Sequence, residues 1–467
     1  MSDYIADVDG PDAEPLENID QLVAHILRGA KPESEWVVGT EVERVGVDAV
    51  TAEAIPFSGP RGIEAILRGM CDEFGWAPVL EEGRIIGLSR GDADITLEPG
   101  GQVELAGQPF RSLHEGAAEL TTNGAELSAV AASLGRRFVG LGIQPVTKLD
   151  EIEWVPKGRY GIMGPYMKQV GQFGQRMMKQ TATVQVNLDF ASEADAIDKM
   201  RVGIGIGPLL NAMLANSSIS EGRRNGYLSY RAHVWTDTDA ARCGILPFLF
   251  AEGAGVVDYV EWALDAPMYF VKREGDYLDL SGVPFRHFWE EGADGIRATV
   301  GDFALHLSTL FPEVRLKTWL ELRMADSPPP DSLLALSAIA KGLLYEDDCR
   351  QAAWDLVKGW DLTQRHDLLE MVARGGFAAR AGRHTIGDLA AELLTIAEEG
   401  LRRLDRRDGR EVSEVDFLER TIHRVARRRS AAEEVADIWQ LGGASRARML
   451  VDYTAYPTSD DVRVSHA

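Results

Sequence analysis

Polar and apolar residues alternate with a period of two in several short runs. The clearest is residues 36–47, W-V-V-G-T-E-V-E-R-V-G-V. In an extended strand Glu41 and Glu43 fall on one face there, and Thr40, Val42 and Arg44 on the other. Residues 96–105, T-L-E-P-G-G-Q-V-E-L, read as two strands turning at Pro99, Gly100 and Gly101. Thr96 and Glu98 share the polar side of the first run, and Gln102 and Glu104 that of the second. Between 180 and 190, Thr181, Thr183, Gln185, Asn187 and Asp189 alternate with five apolar residues. Strands are also predicted over 83–89, 138–143 and 315–324, the last with Lys317, Trp319, Glu321 and Arg323 on one face. A hairpin is predicted over 267–280, turning at Gly275.

Helical periodicity predicts segments at 21–27, capped by Asn18 or Asp20, and at 62–74, 113–134, 192–215 and 303–310. Residues 330–441 read as wholly helical, a supporting region without chemistry of its own. The pattern breaks twice, in an irregular stretch around Lys157 and in a loop over 216–247, long enough to suggest function. Residues 1–15 read as a loose acidic tail, 16–452 as one catalytic unit and 453–467 as a second tail.

Lys and Arg number 49 against 73 Asp and Glu, a net charge of −24. That excess disfavours a nucleic-acid or anionic-membrane surface, so an anionic substrate needs locally clustered arginines. No apolar run is long enough to span a bilayer. Cys71, Cys243 and Cys349 lie far apart, without zinc-site or disulfide spacing. A cytoplasmic location is the expectation, with neither nucleic acid nor membrane as partner and the chain a monomer or homodimer.

Paired across the turn, Glu98 and Glu104 repel unless a cation lies between them, and hard oxygen ligands suit magnesium; Glu41 and Glu43, beside Gly39 and Gly46, suit the lining of a cleft. Solvated strand faces are the alternative. The polar face of 180–190 carries no lysine, which suits a lined pocket better than a surface. Lys157 and Arg159, on a glycine-broken stretch, suit phosphate or carboxylate contact, or an ordinary basic loop. G-I-G-I-G at 203–207 is no dinucleotide fingerprint, since Pro208 takes the third-glycine position; close helix packing explains it.

Four segments taken together, G-T-E-V-E-R, L-E-P-G-G-Q-V-E-L, T-A-T-V-Q-V-N-L-D-F and F-P-E-V-R-L-K-T-W-L-E-L-R, resemble the plant-type glutamate-cysteine ligases that also occur in proteobacteria. The resemblance runs from about residue 17 to 452. It implies an α+β fold related to glutamine synthetase, with a curved, mostly antiparallel sheet forming a funnel and helices packed outside. It also implies the reaction: ATP phosphorylates the γ-carboxylate of glutamate, and the amine of cysteine, or another amine, displaces phosphate. By the same resemblance Glu41, Glu43, Glu98, Glu104 and Glu321 hold Mg2+, or Mn2+, Gln185 ligates the metal or faces the nucleotide phosphates, and Lys157 faces the phosphates. Arg323 contacts the transferred phosphate, and Arg159 and Arg231 take phosphates or the glutamate carboxylate. Thr183, Asn187, Trp235 and Tyr269 line the amino-acid pockets. Plant-type relatives usually read G-T-E-H-E-K where this chain has Val42 and Arg44, both on the face away from the paired acids. No cysteine pair is placed to support the redox control of the plant enzymes.

Overall fold

The computed structural model describes residues 15–458; the first expected tail falls almost wholly outside that range. Its frame is a sheet of nine strands, every pair antiparallel: β1 (Val38–Asp48), β2 (Ala77–Glu81), β3 (Arg84–Arg90), β4 (Ala93–Leu97), β5 (Val103–Ala106), β6 (Arg136–Val139), β7 (Val184–Leu188), β8 (Val314–Leu316) and β9 (Leu320–Leu322). The spatial order is β8-β9-β7-β1-β5-β4-β3-β2, and the sheet does not close. β1 is the organising strand. Residues 38–42 pair with β7, 45–48 with β6, and 41–44 with β5 on the other side.

Both faces of β1 are covered, so its polar residues are buried as well as its valines. On the face away from the acids, Thr40 Oγ1 meets Ser337 Oγ at 2.7 Å on the helix Ala335–Leu344. On the same face Arg44, fully buried, donates from Nη1 to Asn123 Oδ1 at 2.8 Å on the helix Leu113–Ser133. Its guanidinium also lies 4.9 Å from the centre of the Tyr456 ring. The second expected tail therefore begins later than residue 453: Thr454 and Tyr456 are buried, and Tyr456 N–H donates to Phe138 O. The supporting helices pack closely. A Cβ on Gly400 of Ile386–Asp408 would stand 1.8 Å from Gly342 O of Ala335–Leu344, so only glycine lets the two backbones meet. A short hairpin, Arg380–Ala381 with His384–Thr385, interrupts this otherwise helical region.

The alternation located β1, β3 and β7, but four expectations need correction. The segment 315–324 is a hairpin and not one strand: Arg315 pairs with Glu321 and Leu316 with Leu320, and the chain turns over residues 317–319, where Lys317 N–H donates to Trp319 O at 2.8 Å. The stretch after Lys157 is the helix Gly158–Val170, which accommodates Gly158, Gly161, Gly164 and Pro165. A Cβ on Gly164 would sit 3.0 Å from the Trp154 ring, so that glycine serves close packing. The long loop contains the helix Tyr230–Trp235, capped by Ser229. The helix after Ser192 divides into Glu193–Gly205 and Gly207–Met213, and Gly203 and Gly205 there pack against Val314, Trp354 and Val357, as the glycine run suggested.

Candidate active site

Strand register gathers the predicted acids on one sheet face. Glu43 of β1 stands opposite Glu104 of β5, which stands opposite Thr96 of β4, while Glu41 faces Gln185 of β7. Glu98 follows β4 and opens the connection: Gly101 N–H donates to Glu98 O, Glu98 N–H donates to Gln102 O, and Gly101 has φ +85°. A tight turn with glycine in the left-handed region thus returns the chain so that the acids before and after it face the same space.

Neighbouring donors hold these carboxylates. Glu104 accepts from Thr96 Oγ1 at 2.9 Å and from Gln185 Nε2 at 3.1 Å. Glu41 Oε1 accepts from Asn187 Nδ2 at 2.7 Å, and Glu43 Oε2 accepts from Thr183 N–H at 3.0 Å. Burial pushes Glu43 well above the usual carboxylate range, with Glu98 and Glu104 adding repulsion. Burial likewise pushes Glu104 up to about 7, reinforced by Glu41 and Glu98.

Glu321 is the opposite case. Its burial favours the neutral form, but Arg315, Lys317 and Arg323 outweigh that and hold it well below the usual range. Its Oε2 lies 2.5 Å from Arg315 Nε and 3.0 Å from Arg323 Nη1, and Lys317 Nζ is 3.7 Å from Oε1. Arg323 Nη1 also donates to Gln185 Oε1. Arg231 is fixed by two backbone carbonyls, donating from Nη1 to Met324 O at 3.0 Å and from Nη2 to Arg323 O at 2.8 Å.

These elements enclose a cavity of about 130 Å3. Of the residues singled out in the sequence, Glu41, Glu43, Glu98, Glu104, Arg159, Thr183, Gln185, Arg231, Trp235 and Arg323 line it. Four do not. Lys157 borders a neighbouring cleft beyond the hairpin Phe270–Arg273 and Asp276–Asp279. Asn187 ties Glu41 to Trp319, whose Nε1 donates to it at 3.1 Å. Tyr269 is buried beneath the Arg242 guanidinium, 4.0 Å from its ring centre. Glu321 lies behind its cations. Sequence reading missed Arg315, although it shares the alternation of Lys317, Glu321 and Arg323, and also Lys272 and Tyr277, which come from the hairpin.

Among the described residues no three His, Cys, Asp or Glu side chains meet in a metal-ligating cluster; the carboxylates are turned toward their hydrogen-bond donors. The donor set nevertheless fits a divalent cation. Glu43 and Glu104 are buried beside further carboxylates that push them toward the neutral form, a repulsion that a cation would relieve, and Glu321 Oε1 accepts no hydrogen bond.

A family model for the glutamate-cysteine ligase family 2 matches residues 37–458. The chain is 42% identical over 408 residues to the chloroplastic glutamate-cysteine ligase B of Oryza sativa subsp. japonica, covering 87% of this chain and 82% of that one. It is 42% identical over 412 residues to the chloroplastic enzyme of Nicotiana tabacum, covering 88% and 78%. A solved glutamate-cysteine ligase from Francisella tularensis, in complex with AMP, shares the fold with a TM-score of 0.53 at 15% identity, over 92% of this chain and 88% of that chain. The names of these plant relatives overturn the cytoplasmic expectation. Scattered cysteines do not fix a compartment, since proteins this similar are chloroplastic. Among the described residues no helix is long and apolar enough to cross a membrane.

Proposed function

Because the chain belongs to the glutamate-cysteine ligase family, we propose that it joins the γ-carboxylate of glutamate to the amine of cysteine at the expense of ATP, the first step of glutathione or related thiol synthesis. The observation that carries this reading is the opposition of four carboxylates, Glu41, Glu43, Glu98 and Glu104, to Arg159, Arg231 and Arg323 around one cavity. A carboxylate is a poor electrophile and must be activated. A γ-carboxylate oxygen bonds to the γ-phosphorus of ATP as the bond to the bridging oxygen breaks and ADP leaves. The amine then adds to the acyl carbon, loses a proton and expels phosphate.

The four acids, with Glu321 and Gln185, would hold Mg2+ or Mn2+. The cation supplies charge neutralisation for the triphosphate and polarises the transferring phosphoryl group. Arg323 has three of its five N–H donors left after Glu321 and Gln185 are served, and directs them at the equatorial oxygens. Arg315 keeps Glu321 ionised and in place, so that Arg323 is aimed before substrate arrives. Arg231 and Arg159 take the remaining anionic groups, while Lys157 and Lys272 stand in the adjoining cleft among Glu81, Glu82, Asp94, Glu274 and Asp276 and would each offer a phosphate or carboxylate a single contact there. Thr183 and Trp235 bound the amino-acid side of the cavity. Asn187 and Tyr269 act by support, the first through Glu41 and the second through Arg242.

Glutamate labelled with 18O in the γ-carboxylate tests this reading. One labelled oxygen should appear in each phosphate released in the presence of cysteine. Unlabelled phosphate with continued ADP formation would exclude an acyl phosphate.

A further inference from the structure

Arg231 reaches the cavity from Tyr230–Trp235, a helix of six residues that is too short to hold its own orientation. What fixes it lies in residues 323–327, which follow β9. Arg323 O and Met324 O accept from the two ends of the guanidinium, at 2.8 and 3.0 Å. Further along, Ala325 O accepts from Thr183 Oγ1 at 2.6 Å, and Ser327 Oγ donates to Glu43 O at 2.6 Å. The same short segment is thus bound both to Arg231 and to the strand that carries the acids.

Asp326 stands between these attachments and is 1% exposed. Its Oδ2 accepts from Asn216 N–H and from Ser217 Oγ, both at 2.7 Å, and its Oδ1 accepts from Ser229 Oγ at 2.8 Å. An ionised carboxylate only accepts, so each serine turns its one proton toward Asp326 and keeps its lone pairs for the helix. Ser217 Oγ accepts from Arg231 N–H and Ser229 Oγ from Ala232 N–H, both at 3.1 Å. Two hydroxyls thereby tie the start of the helix to one carboxylate. Burial raises Asp326, while the Arg231 charge and the three donors work the other way. The backbone leaves room for it: a Cβ on Gly142 would stand 2.6 Å from Asp326 Cβ and Cγ. Asp326 is not part of the cavity wall, so any effect it has on the reaction passes through what it holds.

We propose that Asp326 is a positioning residue for the reaction: through Ser217 and Ser229 it fixes the helix Tyr230–Trp235, so that Arg231 is aimed at the substrate's anionic group before substrate arrives. The proposal rests on the ligase reading above, in which Arg231 takes such a group. Backbone N–H and guanidinium of Arg231 are both referred to residues 323–327, the segment that also carries Arg323 and touches Glu43. The spacing between the arginines and the acids is set there, and a guanidinium displaced from that spacing stabilises the developing charge less well.

A double-mutant cycle on the full chain tests this, with the rate read as ADP and dipeptide formed from glutamate, cysteine and Mg-ATP. Arg231→Gln first identifies which kcat/KM reports on Arg231, that for glutamate or that for ATP. Asp326→Ala should lower the same kcat/KM by about 10- to 100-fold in the wild-type background, and by no more than about 2-fold in the Arg231→Gln background. Melting curves should show the Asp326→Ala change lowering stability alike in both backgrounds, which separates holding the fold from aiming the arginine. Equal falls of kcat/KM in the two backgrounds would make Asp326 merely structural and overturn the inference. So would an unchanged rate for Asp326→Ala, or full activity of Arg231→Gln. If Asp326→Ala fails to fold, Ser229→Ala, which cuts one of the two relays, decides by the same cycle. A wild type that forms no dipeptide from glutamate and any amine would instead remove the ligase reading itself, so the two failures are told apart.

Discussion

Arg323→Lys separates stabilisation of the transferring phosphoryl group from simple binding of charge. The arginine is 13% exposed, and its Nη1 is committed to Glu321 at 3.0 Å and to Gln185. Lysine keeps the positive charge, but its three donors sit on one nitrogen. Serving Glu321 and Gln185 leaves it one, where the guanidinium retains three in a fixed plane. One or two charge-assisted hydrogen bonds to the equatorial oxygens are therefore lost, at roughly 1.5–3 kcal/mol each. Charge on those oxygens is greatest in transit, so the loss belongs to the transition state. Glu321 stays paired with Arg315 at 2.5 Å, and the fold should survive. The expectation is a fall in kcat of about 10- to 10,000-fold with little change in ATP affinity. Steady-state kinetics and a nucleotide titration on the same variant measure both quantities. A large loss of ATP affinity at unchanged kcat would refute the reasoning and make Arg323 a binding residue only.

Glu98→Gln and Glu104→Gln should each leave a folded chain without magnesium-dependent turnover, since a neutral amide cannot balance the cation; normal activity of both at limiting magnesium would sink the cation-site assignment. Asn123→Leu removes the hydrogen-bond partner of the buried Arg44 and should destabilise the chain by about 1–3 kcal/mol in urea melts. Substrate KM values should not move, because Arg44 faces away from the acids. Burial lowers His306 to about 3, against a hydrogen bond to Ala263 O that works the other way. The unfolded chain therefore binds the proton first, and stability should fall as pH drops from about 6.5 toward 3. His306→Gln should flatten that part of the pH-stability curve; an unchanged slope would contradict the assignment. The thiols of Cys71, Cys243 and Cys349 are free and all raised by burial, Cys243 to about 12. Activity should be indifferent to mild reductants, and a reversible oxidative loss abolished by changing one cysteine to Ser would show otherwise.

What alternation could reveal, it revealed. Strict period two on β1 and β7 fixed which side chains share a face, and the glycine turn after Glu98 fixed that the next acid returns to the same side. The four acids, Gln185 and Thr183 were legible for that reason. Residues 315–324 keep the same period through a reversal, so alternation named Glu321 and Arg323 correctly as neighbours and still hid the turn at Lys317. It also concealed that Arg315 and Lys317 fold back to neutralise Glu321. Helix Gly158–Val170 was illegible because its glycines and proline are local helix breakers, tolerated here by packing against Trp154. Lys272 and Tyr277 gave no local signal of a role, since they lie on a hairpin distant in sequence from the acids and only the tertiary fold brings it to the same cavity.

In the function proposed for this chain, the acids and arginines of one sheet face activate glutamate for attack by cysteine. Its most direct measurement is ADP and peptide formation with glutamate, Mg-ATP and a panel of amines that includes cysteine, each reaction resolved by mass. The expected result is γ-glutamylcysteine in one-to-one ratio with ADP, and the highest kcat/KM with cysteine. ADP formed with another amine and not with cysteine would contradict it.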